Sequence, residues 1–353
     1  MSSFLEADLV VRRTGYTLEV SLNAERGDVI AVIGPNGAGK STLVRALAGV
    51  VRVSEGRITC QDMAWDSGDG SPIRVQQRNI GMVFQEQLLF PHLSVLDNVS
   101  FGPRCRGAGR RESHRSAQRW LDRLGVNELS HRRPSQLSGG QAQRVAVARA
   151  LATDPAVLLL DEPFAALDVG VAMALRFELA RHLAEFGGVS ILVTHDAIDT
   201  MTIANRVVVL DEGRVAQTGT PAEVAQRPRT EHVARLVGLN ALRGHSRGTD
   251  VLLLDGSRLI SVTPLDGEVF ASFSPSSVAL TLDEPVGSVR NRWPGTVSSV
   301  VPHGAAVRVH LDAGKSLIAD VTPDSAARLS LAPGRRVWAA VKATEIAVYG
   351  TAA

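Results

Sequence analysis

The apolar run DVIAVI at residues 28 to 33 breaks into Gly34-Pro35-Asn36-Gly37-Ala38-Gly39-Lys40-Ser41-Thr42 and then resumes at helical spacing through LVRALAG. This stretch fits the pattern GxxxxGK[ST] without mismatch. A strand feeding such a turn, with a helix leaving it, lets backbone N–H groups converge on a polyphosphate, because a helix N-terminus offers unpaired donors and partial positive charge. Side chains would obstruct that approach, which is the chemical reason for glycine at 34, 37 and 39. Lys40 is placed to meet the β- and γ-phosphates, and the Ser41 hydroxyl to meet Mg²⁺. The plainer reading is a glycine turn between two elements. Lysine usage opposes it: arginine is the default cation here, and lysine occurs only at positions 40, 315 and 342.

A chain of 353 residues has room for two domains, and 44 % hydrophobic with 21 % charged residues describes a globular protein able to bury a core in each. The formal charge of +2 from 38 basic and 36 acidic side chains gives no argument for a nucleic-acid partner. Arginine-rich stretches such as 104 to 115 read as solvated surface. Cys60 and Cys105 stand alone, without CxxC or zinc spacing, which fits a reducing cytoplasm and no structural metal. The N-terminal MSSFLEADLVVRR does not read as a signal peptide. No apolar run approaches the roughly 18 to 20 residues that span a bilayer, so a membrane role requires a partner.

Strand-length segments LEADLVV, TLEVSL and VIAVI lead to the phosphate loop, and Ser54 to Ser71 reads as a strand plus exposed loop. IGMVF at 80 to 84 is a short buried strand, and Gln85 lies just past its carboxyl end, where ligands are reached in α/β sheets. Residues 88 to 104, interrupted by Pro91 and Pro103, make a poor strand and a candidate contact surface. Helical spacing follows at 112 to 124. The run QLSGGQAQRVAVARALATDP then starts a second helix, with Ser138 as a suitable N-cap. Val157 to Leu160 form a strand ending at Asp161 and Glu162, a helix falls near 169 to 186, and the strand at 189 to 194 stops at Thr194-His195-Asp196. Strands alternating with helices predict a largely parallel α/β sheet with the phosphate loop at its carboxyl edge. RVVVLDEGRVAQTGT reads as a hairpin. After about residue 240, short alternating runs with closely spaced turn residues predict a small antiparallel β domain or two barrel-like halves.

Asp161 at a buried strand end suits a second Mg²⁺-binding element, Glu162 could orient or deprotonate the attacking water, and His195 could touch the γ-phosphate. Each has a plain structural alternative when taken singly. Their order behind the phosphate loop gives them joint weight. With Gln85, LSGGQ at 137 to 141, VLLLDEP at 157 to 163, AALD at 165 to 168 and His195, the first 240 residues closely resemble ABC transporter ATPases.

That resemblance implies a P-loop NTPase domain with a helical subdomain at 1–240. It also implies ATP held by residues 34 to 42, and Mg²⁺ met by Ser41, Gln85 and Asp161. Glu162, His195 and Gln85 would be the catalytic residues. Ser138, Gly139, Gly140 and Gln141 of a second copy would complete the site, making the active unit a homodimer. Members usually stack adenine on an upstream aromatic. Tyr16 is the nearest here, with simple packing as its other reading. Residues 241–353 resemble TOBE-type, OB-like all-β domains. Gly287-Ser288-Val289-Arg290-Asn291 and VWAAVKATEIAVY at 337 to 349, with FPHLSVLDNVSFGP, look like the ATPase of a molybdate or tungstate importer. The resemblance makes Ser288, Arg290, Asn291 and Lys342 candidate oxyanion contacts. It further implies a permease partner, an extracytoplasmic solute-binding protein acting indirectly, and a place on the cytoplasmic face of the membrane. Rival readings are a sulfate, iron or polyamine importer and a non-transport ATPase acting on nucleic acid or ribosomes.

Overall fold

Alternation of apolar and polar residues makes β1 (Leu5–Arg13) and β2 (Tyr16–Ala24) a hairpin with one buried face. The computed structural model describes residues 3–68, 72–165 and 167–351. Ala166, within the AALD stretch, and residues 69–71, at the end of the Ser54 to Ser71 segment, therefore lie outside the described residues. β3 (Val29–Ile33) is buried along its whole length and delivers the phosphate turn to α1 (Lys40–Leu47). β4 (Glu55–Cys60) and β5 (Met63–Asp66) follow as a second hairpin. Its two turn residues, Gln61 and Asp62, both take positive φ, the geometry that matches the strand twist. The expected exposed loop is thus partly a strand.

β6 (Ile80–Val83) precedes the helices α2 (Val95–Cys105), α3 (Arg110–Arg123) and α4 (Gly139–Leu151). β7 (Val157–Asp161), α5 (Val169–Ala184), β8 (Val189–Val193), α6 (Ala197–Ile203), β9 (Arg206–Asp211) and β10 (Arg214–Gly219) complete this part. Ten strands form one sheet in the order β5-β4-β1-β2-β10-β9-β3-β8-β7-β6. The run from β9 to β6 is parallel, as expected, whereas β1, β2, β4 and β5 pair antiparallel. The expectation of a largely parallel sheet therefore holds for one half only. The physical reason is visible in the burial: β3, β7 and β8 are apolar on both faces, as parallel strands must be, while β1 and β2 are apolar on one.

Two cores lie against this sheet. Leu43, Val44 and Leu47 of α1 pack with Ile30, Val32 and Ile191, and Val95, Val99, Ala117, Leu121 and Val145 of the helical subdomain pack with Leu158, Leu160 and Leu192. The 88 to 104 stretch is a loop followed by α2. Pro103, taken from the sequence as an interruption, sits inside that helix near its carboxyl end. Among the described residues no helix is long and apolar enough to cross a membrane.

Compact units fall at 1–222 and 223–353. The division comes earlier than the change of composition near residue 240. α7 (Pro221–Gln226) carries the division, and α8 (Glu231–Leu236) packs on β11 (Asn240–Arg247). The Tyr349 hydroxyl donates to the Pro228 carbonyl at 2.7 Å, tying that segment to the last strand of the second unit.

In the second unit β11 joins β12 (Asp250–Leu253), β13 (Arg258–Ile260), β14 (Gly267–Phe273) and, later, β20 (Ala347–Gly350) in a five-stranded antiparallel sheet. β15 (Ala279–Thr281), β16 (Asn291–His303), β17 (Ala306–Asp312), β18 (Ser316–Val321) and β19 (Arg336–Val341) form another, with α9 (Pro323–Arg328) between β18 and β19. One core, including Val269, Trp293, Val309 and Val341, is shared by both sheets.

Candidate functional site

The phosphate turn is shaped by backbone conformations that only glycine adopts readily. Gly34 has φ 154° and a Cβ there would overlap the Leu210 carbonyl; Gly39 has φ 103° and caps α1 in the left-handed region. Lys40 is 7 % exposed, and its Nζ donates to the carbonyls of Gly34 at 2.8 Å and Pro35 at 2.9 Å. Its ammonium is thereby held over the mouth of the turn. Burial lowers the Lys40 pKa, and Glu162 and Asp161 oppose that shift. Asn36 and Gly37 are exposed, Ala38 is buried, and Ser41 and Thr42 are half-buried at the first turn of α1.

β7 is the neighbour of β8, which lies beside β3, so the end of β7 reaches the phosphate turn across the sheet. There the Asp161 carboxylate lies close enough to the Ser41 hydroxyl for it to favour the ionised form. Burial and then Glu162 raise the Asp161 pKa, while Arg45, Ser41 and Lys40 pull it back. A hard cation such as Mg²⁺ takes oxygen ligands, keeps phosphate oxygens and waters in its shell, and needs only one or two protein groups. Ser41 and Asp161 supply such a pair, so the donor set fits the ion.

Glu162 sits at φ 47°, a left-handed conformation that is uncommon for a residue with a side chain. Its N–H donates to the Val193 carbonyl at 2.9 Å, which fixes the bend and turns the carboxylate away from the strand. His195 Nδ1 lies 3.4 Å from Glu162 Oε1. The carboxylate is mostly buried, at 22 % exposure, and the imidazole is open at 60 %. Both line a cavity of about 300 Å³ with Phe164, Arg176 and Asp196. Gln85 is exposed past the carboxyl end of β6, the strand beside β7.

The structure brings together Lys40, Ser41, Asp161, Glu162 and His195. The Ser138 segment stands apart from them. Ser138 caps α4, its Oγ accepting from the Gln141 N–H at 3.3 Å while Gln141 Oε1 accepts from the Ser138 N–H at 3.0 Å. The Gln141 carboxamide is therefore engaged in the cap, and Gly140 packs against Val171 of α5. Tyr16 lies beside the phosphate turn. Its hydroxyl is buried against Gly39, and the residue lines a cavity of about 550 Å³ with Gly37, Asp211 and Arg214.

In the second unit Ser288 and Arg290 are exposed ahead of β16. The register Asn291↔Val341 brings the exposed Lys342 beside Arg290. Asn291 departs from the expectation of an anion contact. It is 1 % exposed, its Oδ1 accepts from the Ile260 N–H at 2.6 Å and its Nδ2 donates to the Ile260 carbonyl at 2.8 Å, which pins β16 to β13.

Three supporting residues have no motif to announce them. Arg149 of α4 donates to the carbonyls of Leu88 at 2.7 Å and Gln87 at 2.9 Å, holding two consecutive left-handed residues just after Gln85. Asn98 is fully buried and ties the 90 to 94 loop to α2, accepting from the Phe90 N–H at 2.8 Å and donating to the Ser94 carbonyl at 2.9 Å. Arg78 donates to the carbonyls of Ala46 and Leu47 and so finishes the helix that begins at Lys40.

A phosphate turn, a strand-end Asp-Glu pair and a histidine on one sheet edge define a P-loop ATPase. Comparison with known proteins gives the family. A profile described as ABC transporter matches residues 18–165, and one described as TOBE domain matches 287–348. The chain is 42 % identical over 347 residues, 94 % of each chain, to the molybdenum import ATP-binding protein ModC of Mycobacterium tuberculosis. It is 33 % identical to the molybdate/tungstate import ATP-binding protein WtpC of Pyrococcus horikoshii, over 94 % of this chain and 95 % of that one. Among solved structures, a dimeric ATP-binding cassette in a post-hydrolysis state with ADP and Pi is 28 % identical, with a TM-score of 0.54 over 62 % of this chain and 98 % of that one. The protein belongs to the ABC transporter family of ATPases.

Proposed function

We propose that this chain hydrolyses ATP to drive import of an oxyanion, molybdate or tungstate, through a separate membrane permease whose cytoplasmic face it joins as a homodimer. The observation that carries the catalytic part is the meeting of Lys40, Ser41, Asp161, Glu162 and His195 at one edge of the sheet. The solute follows from similarity along almost the whole chain to import proteins named for molybdenum and for molybdate/tungstate. A sulfate importer is the second reading, because the sulfate/thiosulfate import protein CysA 1 of Chromobacterium violaceum is 36 % identical over 93 % of this chain and 92 % of that one.

In this reading the amides of residues 36 to 42 and the Lys40 ammonium bind the β- and γ-phosphates. Ser41 and Asp161, with Gln85 as a further candidate, would hold Mg²⁺, which would neutralise charge on the phosphate oxygens. Glu162 accepts the proton of the attacking water. His195 orients that carboxylate and reaches the γ-phosphate, and the work is positioning and charge stabilisation. The α4 N-terminus at Ser138, Gly139 and Gly140 offers free N–H groups to the γ-phosphate held by the partner chain. Tyr16 borders the cavity assigned to the adenine side.

The experiment is solute-stimulated ATPase of the chain reconstituted with its permease and solute-binding protein. Stimulation by molybdate and tungstate is expected, and stimulation by sulfate alone contradicts the solute assignment. Ser288, Arg290 and Lys342 form a proposed oxyanion site in the second unit. Calorimetry of the full chain is expected to show molybdate binding that Arg290→Ala weakens. No heat with molybdate or tungstate leaves that unit without the role.

A further inference from the structure

We propose that Arg176 is a positioning residue for hydrolysis, acting through His195. This rests on the catalytic reading of Glu162 and His195. Arg176 comes from α5, which belongs to neither the phosphate turn nor the strand ends, and it is 6 % exposed. Its Nη2 donates to Asp196 Oδ2 at 2.6 Å and its Nε donates to Asp199 Oδ1. Asp199 also takes the Thr194 hydroxyl on its other oxygen. One guanidinium therefore fixes the residues on both sides of His195, 194 directly through Asp199 and 196 by its own ion pair.

The network continues into the backbone. The Asp196 N–H donates to the Thr194 Oγ1 at 3.0 Å, and Asp196 Oδ1 accepts from the Ile198 N–H at 2.7 Å, capping α6. His195 is the exposed apex of this closed loop of hydrogen bonds. The Arg176 guanidinium also lies 5.5 Å from the centroid of Phe164, two residues beyond Glu162. It thus touches both segments whose side chains meet at the 3.4 Å contact between Glu162 and His195. An imidazole as open as His195 has no packing of its own to hold its ring, so its aim depends on the main chain beneath it. A rigid turn delivers the ring to the same place in every catalytic cycle, and a loosened turn does not. Arg176 lies beneath Asp196 and Asp199 and does not touch His195, so its effect is on the turnover step and not on ATP affinity.

The test is a double-mutant cycle on the full chain, measuring turnover and KM for ATP. Arg176→Gln is expected to lower turnover by about tenfold or more while KM changes less than about twofold, and Arg176→Lys is expected to recover part of the loss. In a His195→Ala background, Arg176→Gln is expected to lower turnover by less than about twofold more, because residues acting as one unit are not additive. In the nucleotide-free protein, the His195 ring resonances are expected to shift in Arg176→Gln and to shift less in Arg176→Lys. Because Arg176→Gln leaves two carboxylates without their cation and can impair folding, the same cycle is run with Asp196→Asn, which cuts only the ion pair on the half-exposed side. Equal losses in both backgrounds overturn the proposal. Full turnover in His195→Ala alone overturns the catalytic reading of His195 and the proposal with it, so the two failures are told apart.

Discussion

At the scale of single residues, ionised groups in this chain are held by specific partners, and one of them gives a pH signature. Partial burial of the Asp255 carboxyl by itself raises its pKa, but hydrogen bonds from Lys315 and Ser257 and the Lys315 charge outweigh that and hold it down at about 2 against an ordinary 3.8. Lys315 Nζ lies 2.9 Å from Asp255 Oδ2, 2.8 Å from the Ser257 hydroxyl and 4.8 Å from the Trp293 ring centroid. A carboxylate with a lowered folded-state pKa stabilises above its unfolded value and loses that contribution as pH falls through the folded one. Asp255→Asn is therefore expected to lower the melting temperature near neutrality, with the difference from wild type closing as pH drops from 3.8 to about 2. A difference that stays constant through that window contradicts the pairing.

The same scale shows what the sequence made legible. Gly34, Lys40, Asp161 and His195 were readable because their chemistry depends on spacing along the chain or on strand ends, both of which leave a pattern. Arg78, Arg149, Arg176 and Asn98 were not, and Asn291 was singled out for an anion contact and not for the strand-pinning role it has. Most of their partners are main-chain carbonyls and amides or carboxylates distant in sequence, and arginine is too common here for one to stand out.

At the scale of elements, one helix links two regions that the sequence kept separate. α4 begins at the Ser138 cap and, eleven residues on, its Arg149 clamps the Gln87-Leu88 bend and lies 5.5 Å from the Phe90 ring centroid. Phe90 meets Phe101 of α2 in turn, with centroids 4.6 Å apart and the rings tilted by 49°; Phe90 is part-exposed, and Phe101 and Leu88 are exposed. The reading of 88 to 104 as a contact surface thus gains a physical basis. The proline pattern hid the helix because a proline inside a helix removes an i→i−4 hydrogen bond, here the one to Val99, yet α2 accepts Pro103 as its ninth residue and ends two residues later. Polar substitution at Phe90 or Leu93 is expected to leave the isolated chain folded and hydrolysing ATP while abolishing solute transport by the assembled importer. Circular dichroism and uptake into vesicles check this together. Loss of the folded signal shows that these residues belong to the core instead.

At the scale of the molecule, each unit closes its own core, and the ATP site proposed in the first unit takes its last donors from a second copy. Ser138 and Gln141 hydrogen-bond each other in the cap of α4, and Gly140 lies against Val171. The solved relative with ADP and Pi is dimeric. Substituting Glu162 by glutamine removes the proposed base but keeps its shape, and turnover is expected to fall by roughly 10² to 10⁴ while ATP still binds. That variant is expected to accumulate as an ATP-held dimer, long-lived enough to trap. The most direct measurement is disulfide crosslinking between Asn36→Cys on the exposed phosphate turn and Ser138→Cys. The background is Glu162→Gln with Cys105→Ser, because Cys105 is exposed while Cys60 is buried. A covalent dimer that forms with Mg-ATP and not without it is the expected result. Crosslinking that is absent, or that is the same with and without nucleotide, contradicts a composite ATP site.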